Sequence, residues 1–362
     1  MKDNRLVIFT INDVYFDQRV QKIASTLQNS GHDVVWIARA KHSRKKKLIF
    51  NFGVKRWTFL VNSGPLFYAV YAFRQFFYLL SNPEIKKVYC CDADTLLGAW
   101  FCSKFRNLFI IYDAHEYFIE TPELSKKSLK KKIWHWIEYK GVLGSQKRIT
   151  VADHLAYQLS VIYGMPFEVI RNLPIYTNDY LPLERDNIII YQGVLNVGRG
   201  LELAIDAMEF LPDYQLWICG EGDLEAELKV RAEKFSNISF FGYLNPEELK
   251  VMTKKVKFGL NLLDLESKNY YISLANKFFD YAASGVVSIN SCGIEYMDYN
   301  NRYNHCLLFE GKTPEDLVEL IRSTDIELYE SLQLKGLKMM KEHHWENEAS
   351  KLVEIVYTEP CI

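Results

Sequence analysis

Residues 273–290 read SLANKFFDYAASGVVSIN: a loop, a helix, a glycine and a short strand in direct succession. Apolar residues recur at helical spacing over Asn276–Ser284, Gly285 ends the helix, and Val286–Asn290 is a brief β-branched run of the kind buried in a parallel sheet. The same alternation repeats on both sides. Strand-like runs stand at Ile188–Tyr191, Leu216–Cys219, Ile238–Phe241 and Phe258–Leu262. Helices are expected over Gly200–Glu209, Leu224–Phe235, Pro246–Lys254 and Pro314–Ser323, the last with Thr313 as N-cap. Towards the N-terminus the pattern restarts, with strands at Leu6–Thr10, Val34–Ala38, Lys87–Cys91, Phe109–Tyr112 and Arg148–Val151 and a helix over Gln18–Asn29. Between the halves, RNLPIYTNDYLPLERD (171–186) holds two prolines and no sustained period, which marks a linker. The expected fold is α/β, two Rossmann-like domains facing across a cleft, residues 1–170 and 171–344.

A chain of 362 residues, 49% hydrophobic, suffices for two such domains and is too long for a lone small binding module. Residues 1–170 carry 25 Lys and Arg against 14 Asp and Glu, the remainder 19 against 31, which points to different partners for the two halves. No run reaches the roughly 20 uninterrupted apolar residues of a membrane span. The charged start leading into Leu6–Thr10 lacks a secretory signal pattern, so a cytoplasmic protein is expected. The seven cysteines, Cys90 and Cys91 among them, have neither zinc nor disulfide spacing and read as small core residues. Basic patches occur without a nucleic-acid reading module, so no nucleic-acid partner is expected.

The chemistry concentrates at strand ends. A helix starting near Leu274 would leave the amides of Ser273, Leu274, Ala275 and Asn276 facing a diphosphate, with Lys277 adding positive charge and Asp280 accepting from ribose hydroxyls. The same residues also suit an ordinary amphipathic helix. Strand Ile188–Tyr191 runs into QGVLNVGRGLELAI, where Gly193, Gly198 and Gly200 surround Arg199; glycine admits close approach of a ligand and a guanidinium braces phosphate oxygens. The spacing is not the dinucleotide fingerprint, which demotes a nicotinamide-dependent oxidoreductase. CGEGD places Gly220, Glu221 and Gly222 at the next strand end, and FGYL places Tyr243 and Leu244 where they can frame a nucleobase or simply pack as core and rim.

In the N-terminal half, DAHEYF brings out Asp113, His115 and Glu116 together, and the first loop, INDVYFDQR, offers Asn12, Asp13 and Asp17. Asn12, Asp13, Asp17, Asp113 and Glu116 are the acceptor-side candidates; His115 is placed towards the donor sugar or the charge that develops on it. Asp92-Ala93-Asp94 has the D-x-D form of a metal and diphosphate site. Because helix amides and Arg199 already serve the phosphates in the other half, it is expected to be a turn, and neither a catalytic metal nor any other cofactor is expected.

Together these stretches resemble the retaining glycosyltransferases of family 4, which have the GT-B fold. The likeness rests on DQRVQKIASTLQNSGHDV, YDAHEYF, VIRNLP, YQGVLNVGRGLE, ICGEGDLEAELK, FFGYLNPEEL and the 273–290 block, in the family's order. By that resemblance Arg199 takes the place of the diphosphate-binding Lys, His115 that of the donor-side His, and Asp280 that of the second Glu of an E-x7-E signature. The first Glu of that signature falls at Ile272, the Arg that often follows the Gly193 position is Val194, and the first loop lacks the family's glycine pair. The resemblance implies a retaining, metal-independent hexosyltransferase of cell-surface polysaccharide synthesis. It would use a UDP- or GDP-type nucleotide sugar as co-substrate, held by residues 171–344 with Arg199 and Lys277 on the departing diphosphate, and a glycan or lipid-linked acceptor taken by residues 1–170. It also implies that a C-terminal helix, residues 345–362, packs back on the first domain. Ile272 and Val194 keep two further readings open: a catalytically degenerate binding partner, and a sugar-nucleotide epimerase of the same fold. Lys41–Lys47 and Lys126–Lys132, the latter beside Ile133, Trp134 and Trp136, together with the aromatic run Phe67–Leu80, suit an anionic membrane surface at the inner face of the cell membrane as well as they suit solvated charge.

Overall fold

The computed structural model describes residues 5–41, 49–121, 124, 128–177 and 185–358. The chain divides into two compact units, Met1–Asn172 with Glu348–Ile362, and Leu173–Asn347. In the first, seven strands lie in the order β3-β2-β1-β4-β5-β6-β7: β1 (Arg5–Phe9), β2 (Asp33–Arg39), β3 (Gly53–Trp57), β4 (Lys87–Cys91), β5 (Phe109–Ala114), β6 (Lys147–Thr150) and β7 (Glu168–Val169). In the second, six strands lie in the order β10-β9-β8-β11-β12-β13: β8 (Asp186–Gln192), β9 (Gln215–Cys219), β10 (Ile238–Gly242), β11 (Val256–Asn261), β12 (Val287–Ser291) and β13 (Leu307–Phe309). Every pairing is parallel. Each order reverses once, between β1 and β4 and between β8 and β11, and ligands of such sheets collect at the carboxyl ends beside that reversal.

Leu6–Phe9 and Ile110–Ala114 are buried on both faces, which is why these central strands are continuous apolar runs. The strands absent from the sequence-based expectation, β3, β7 and β13, are edge strands; β3 alternates exposure and β7 is two residues long, so neither carries such a run. Asp17 caps the Gln18–Asn29 helix by accepting from the Val20 amide (3.1 Å). Thr313 and Asp316 form a capping box on the Pro314–Arg322 helix. The Trp345–Tyr357 helix packs on the first unit: Tyr357 lies 4.5 Å from His32 between ring centroids, Lys87 donates to the Val356 carbonyl (3.3 Å), and the Arg171 amide donates to Glu348 (2.9 Å). Residues 359–362 lie outside the described residues, as do 178–184 of the linker; its first part, 171–177, is neither helix nor strand. Of the two basic clusters, 42–48 and 125–127 also lie outside them.

One buried acid in the first unit gives a pH-dependent stability. Glu138, on the Ser128–Gly144 helix, is fully buried and accepts from the Tyr112 hydroxyl (2.7 Å), and burial pushes its carboxyl up to about 7. Below pH 4.5 it is neutral folded and unfolded. As pH rises towards 7 only the unfolded chain gains the ionisation energy, so the folded state loses about 3 kcal/mol by pH 8. Glu138→Gln mimics the protonated acid and is expected to melt above the wild type at pH 8 and level with it near pH 4, as followed by circular dichroism.

Candidate functional site

At the reversal of the second sheet, β8 ends at Gln192 and the chain turns through Gly193–Gly200 into the Leu201–Ala207 helix. This turn is laced to its neighbours: the Gly193 amide donates to Cys219 O (3.0 Å), the Leu195 amide to Glu221 O (3.0 Å) and the Gly220 amide to Gly242 O (2.8 Å). Gly220 has φ +147°, and a Cβ there would stand 1.8 Å from Gly193 O, so no other residue fits. A Cβ on Gly222 would strike the Leu195 backbone at 2.4 Å, so this glycine serves loop packing. Glu221 is exposed beside it, Tyr243 is half-buried at the end of β10, and Leu244 packs on the core around Ile188 and Ile190.

Two cations converge on this turn. Lys277, in the first turn of the Asn276–Ala283 helix, is 8% exposed; its Nζ sits 3.8 Å over the Tyr191 ring and has no hydrogen-bond partner. The same Nζ would lie 3.5 Å from a Cβ on Gly193. Arg199 stacks its guanidinium 4.7 Å over Tyr270, and its Nε is buried and unpartnered. Burial, and secondarily the charge of Arg199, push the Lys277 ammonium well below its ordinary value. An amine held in this way favours an anion beside it.

The helix begins at Asn276, not near Leu274, with Ala275 as an extended N-cap. The Ala275 amide donates to the Tyr296 hydroxyl (2.9 Å), which corrects its expected place among the phosphate-facing amides; Asn276 and Lys277 head the helix, where amides lack intrahelical partners. Ser273 turns its hydroxyl back onto Tyr270 O (3.0 Å), and Leu274 is buried. Asp280 Oδ2 lies 3.5 Å from Gln192 Nε2, at the end of β8. Thus Gly193, Arg199, Lys277 and Asp280 come together as expected around one strand end, but on aromatic supports, Tyr191 and Tyr270, that nothing in the sequence had singled out.

The first unit corrects several acceptor-side expectations. Asp113 is fully buried in a two-point pair with Arg19 (Nε–Oδ2 3.0 Å, Nη2–Oδ1 2.9 Å) and also accepts from Tyr89 (2.7 Å). Burial opposes its charge, but Arg19 and then His115 hold the carboxyl well below the usual range. Asp13 is buried against Arg56 (2.7 Å) and accepts from the Lys41 amide (3.0 Å). Asp17 is the helix cap. These three carboxylates build the sheet edge and do not face an acceptor. Asn12, which donates to Asp17 (3.3 Å), and Glu116 are exposed there.

His115 bridges two acids, Nδ1 to Asp92 (3.2 Å) and Nε2 to Asp113 (3.1 Å), while its amide donates to Asp92 (2.9 Å). Burial would lower the imidazole, yet Asp92 and Asp113 raise it well above its ordinary value, and each ring nitrogen lies beside one of these carboxylates. The ring anchors two carboxylates of its own unit and keeps a fifth of its side chain exposed. Asp92 adopts φ 62° at the start of the turn Ala93–Thr95. Among the described residues, Cys91, Asp113 and His115 bring ligand-type atoms within 4.8 Å of one another. Arg19 occupies both Asp113 oxygens and burial pushes the Cys91 thiol up, so these residues do not suit a cation.

Residues 176–327 match the family model described as group 1 glycosyl transferases, which covers most of the second unit and the whole of the cationic turn. The fold is GT-B. The chain is similar to sucrose-phosphate synthase from Thermosynechococcus elongatus (14% identity, TM-score 0.77, 98% of each chain covered). It is similar to WaaG, a glycosyltransferase involved in lipopolysaccharide biosynthesis (16% identity, TM-score 0.73, 98% of this chain and 100% of that one). It is also similar to HepE from Anabaena in complex with UDP and glucose (10% identity, TM-score 0.76, 97% and 99%). No curated protein sequence matches it. At such identities the likeness carries the fold, and function rests on the site. No helix among the described residues is long and apolar enough to cross a membrane.

Proposed function

We propose that the chain is a glycosyltransferase that moves a sugar from a UDP- or GDP-type nucleotide sugar onto a glycan or lipid-linked hydroxyl acceptor. The observation that carries this is Lys277: a buried amine without a hydrogen-bond partner, at a helix start, in the electrostatic reach of Arg199. A nucleoside diphosphate supplies the missing charge. Glycosyl transfer places further negative charge on that group in the transition state, where Lys277, Arg199 and the helix amides stabilise it with no metal required. Asp280, beside Gln192 at the end of β8, is placed for ribose hydroxyls, and the ends of β9 and β10 with Glu221, Tyr243 and Leu244 for the base. The family match over residues 176–327 supports a donor role for this unit. The solved neighbour carrying UDP and glucose supports a uridine diphosphate first. In the retaining course, the acceptor oxygen bonds to the anomeric carbon on the face the diphosphate leaves, and the acceptor proton passes to the departing phosphate oxygen.

Ile272 and Val194, standing where the resembled family has Glu and Arg, favour a degenerate partner protein as the second reading. One experiment separates the two: incubate the chain with UDP- and GDP-sugars, singly, with and without pooled glycan and lipid-linked acceptors, and measure diphosphate release. Acceptor-stimulated release from one donor is expected. No release, together with no thermal stabilisation by UDP or GDP, overturns the transferase in favour of the partner protein; interconversion of nucleotide sugars without acceptor would make it an epimerase.

A further inference from the structure

The Gly64–Leu80 helix is apolar on both sides. Phe67, Tyr71, Ala72 and Leu79 face the core, while Leu66, Val70, Phe73, Phe77 and Leu80 form a second stripe at helical spacing that faces outward. A helix apolar on two sides belongs inside a protein or against lipid, and the outward stripe of this one is 41–65% exposed. The stripe does not end with the helix. Phe73 and Phe77 lie 4.4 Å apart between ring centroids, and Phe76 touches both Phe77 (5.1 Å) and the 71% exposed Phe105 (5.8 Å). Phe101, one turn before Phe105, meets Trp100 (4.7 Å), which meets Trp136 of the Ser128–Gly144 helix (6.0 Å). The Leu96–Cys102 helix packs between the other two, so these two ring clusters lie on three adjoining helices. Beside the stripe, Trp57, Phe73, Arg74, Phe77, Tyr78 and Asn82 line a recess of about 480 Å³.

The charge on this face has one sign. The three helices contain a single acidic residue, Glu138, and it is buried. The Arg74 guanidinium lies over Trp57 (4.5 Å) and the Lys104 ammonium over Trp100 (5.3 Å), and Lys130 and Lys132 are exposed at the start of the third helix. Lys131 is paired with Glu120 (2.6 Å). An all-cationic aromatic face opposes a second copy of itself, because like charges would meet, and it complements an anionic layer with an apolar interior. At 17 residues the Gly64–Leu80 helix is below the roughly 20 of a spanning helix, which leaves it lying on such a layer.

We propose that this face of the first unit docks on an anionic lipid bilayer, with Phe73, Phe77, Phe105 and Trp136 entering the headgroup boundary and Lys104, Lys130 and Lys132 meeting anionic headgroups. This face shares no residue with the diphosphate site of the second unit. It is tested by flotation of the full chain with phosphatidylcholine vesicles with and without about 30% phosphatidylglycerol, at about 0.15 M and 0.5 M salt. Flotation is expected only with the anionic vesicles and should weaken at high salt. Phe73→Ser/Phe77→Ser/Phe105→Ser and Lys104→Glu/Lys130→Glu/Lys132→Glu should each lower partitioning on the order of a hundredfold while keeping the wild-type melting temperature and nucleotide binding. Wild type that stays with the buffer, or variants that float like wild type, overturns the proposal. So does a wild-type dimer that either variant dissolves, which would make the face a contact between copies.

Discussion

Arg199→Ala is expected to lower kcat/KM for the nucleotide-sugar donor by about two to three orders of magnitude, and Lys277→Met by at least as much. Removing a preorganised donor from a developing oxyanion has effects of this size because nothing else in the site reorients to replace it. Lys277 is the sharper case. Its amine is buried, lacks a hydrogen-bond partner and is opposed by Arg199. Methionine fills nearly the same space over the Tyr191 ring without the charge. The substitution should therefore raise the melting temperature of the ligand-free chain while it abolishes turnover, since an ammonium forced into that position costs stability until an anion joins it. Arg199→Lys should recover part of the loss, keeping the charge and losing the fork. A Lys277→Met chain that melts lower and turns over normally would mark Lys277 as a packing residue.

The second large effect belongs to stability. Breaking the Arg19–Asp113 pair with Asp113→Asn or Arg19→Met is expected to destabilise the first unit by about 3–5 kcal/mol, roughly ten degrees in melting temperature. The side chains are 5% and 0% exposed, so each single variant leaves its partner's charge buried. Arg19 also donates to the Ile170 carbonyl (2.8 Å), which ties the Gln18–Asn29 helix to the chain just after β7. The double variant should recover a good part of the loss, and a double-mutant cycle on thermal unfolding measures the coupling. Nucleotide binding by the second unit should be unchanged in all three. If Asp113→Asn melts with the wild type, the pair is not what holds this sheet edge.

Central strands such as Lys87–Cys91 and helices such as Gln18–Asn29 are legible to the residue because their apolar spacing reports burial directly. Edge strands β3, β7 and β13 are not, since half-exposed or very short segments carry no such spacing. Arg199, Lys277 and Asp280 are legible as a group because the loop and helix that hold them adjoin strand ends in the chain itself. Their supports Tyr191 and Tyr270 are not, because a ring under a cation is a product of packing. Asp13, Asp17 and Asp113 looked substrate-facing for a related reason: acids at strand ends usually meet ligands. Here Asp17 is taken by the helix it caps, while Arg19, 94 residues from Asp113, and Arg56, 43 from Asp13, claim the other two first. No local pattern announces a partner at that separation.

The most direct measurement is the affinity of UDP, or of GDP if that is the nucleotide bound, set against the corresponding monophosphate by isothermal titration calorimetry, in the wild type and in Lys277→Met. The diphosphate should bind the wild type at least about tenfold more tightly, a difference of about 1.4 kcal/mol, and that preference should vanish in the variant. Equal affinity for the two nucleotides in the wild type, or a preference that survives the loss of Lys277, would contradict a pyrophosphate seat built from this amine, Arg199 and the helix start.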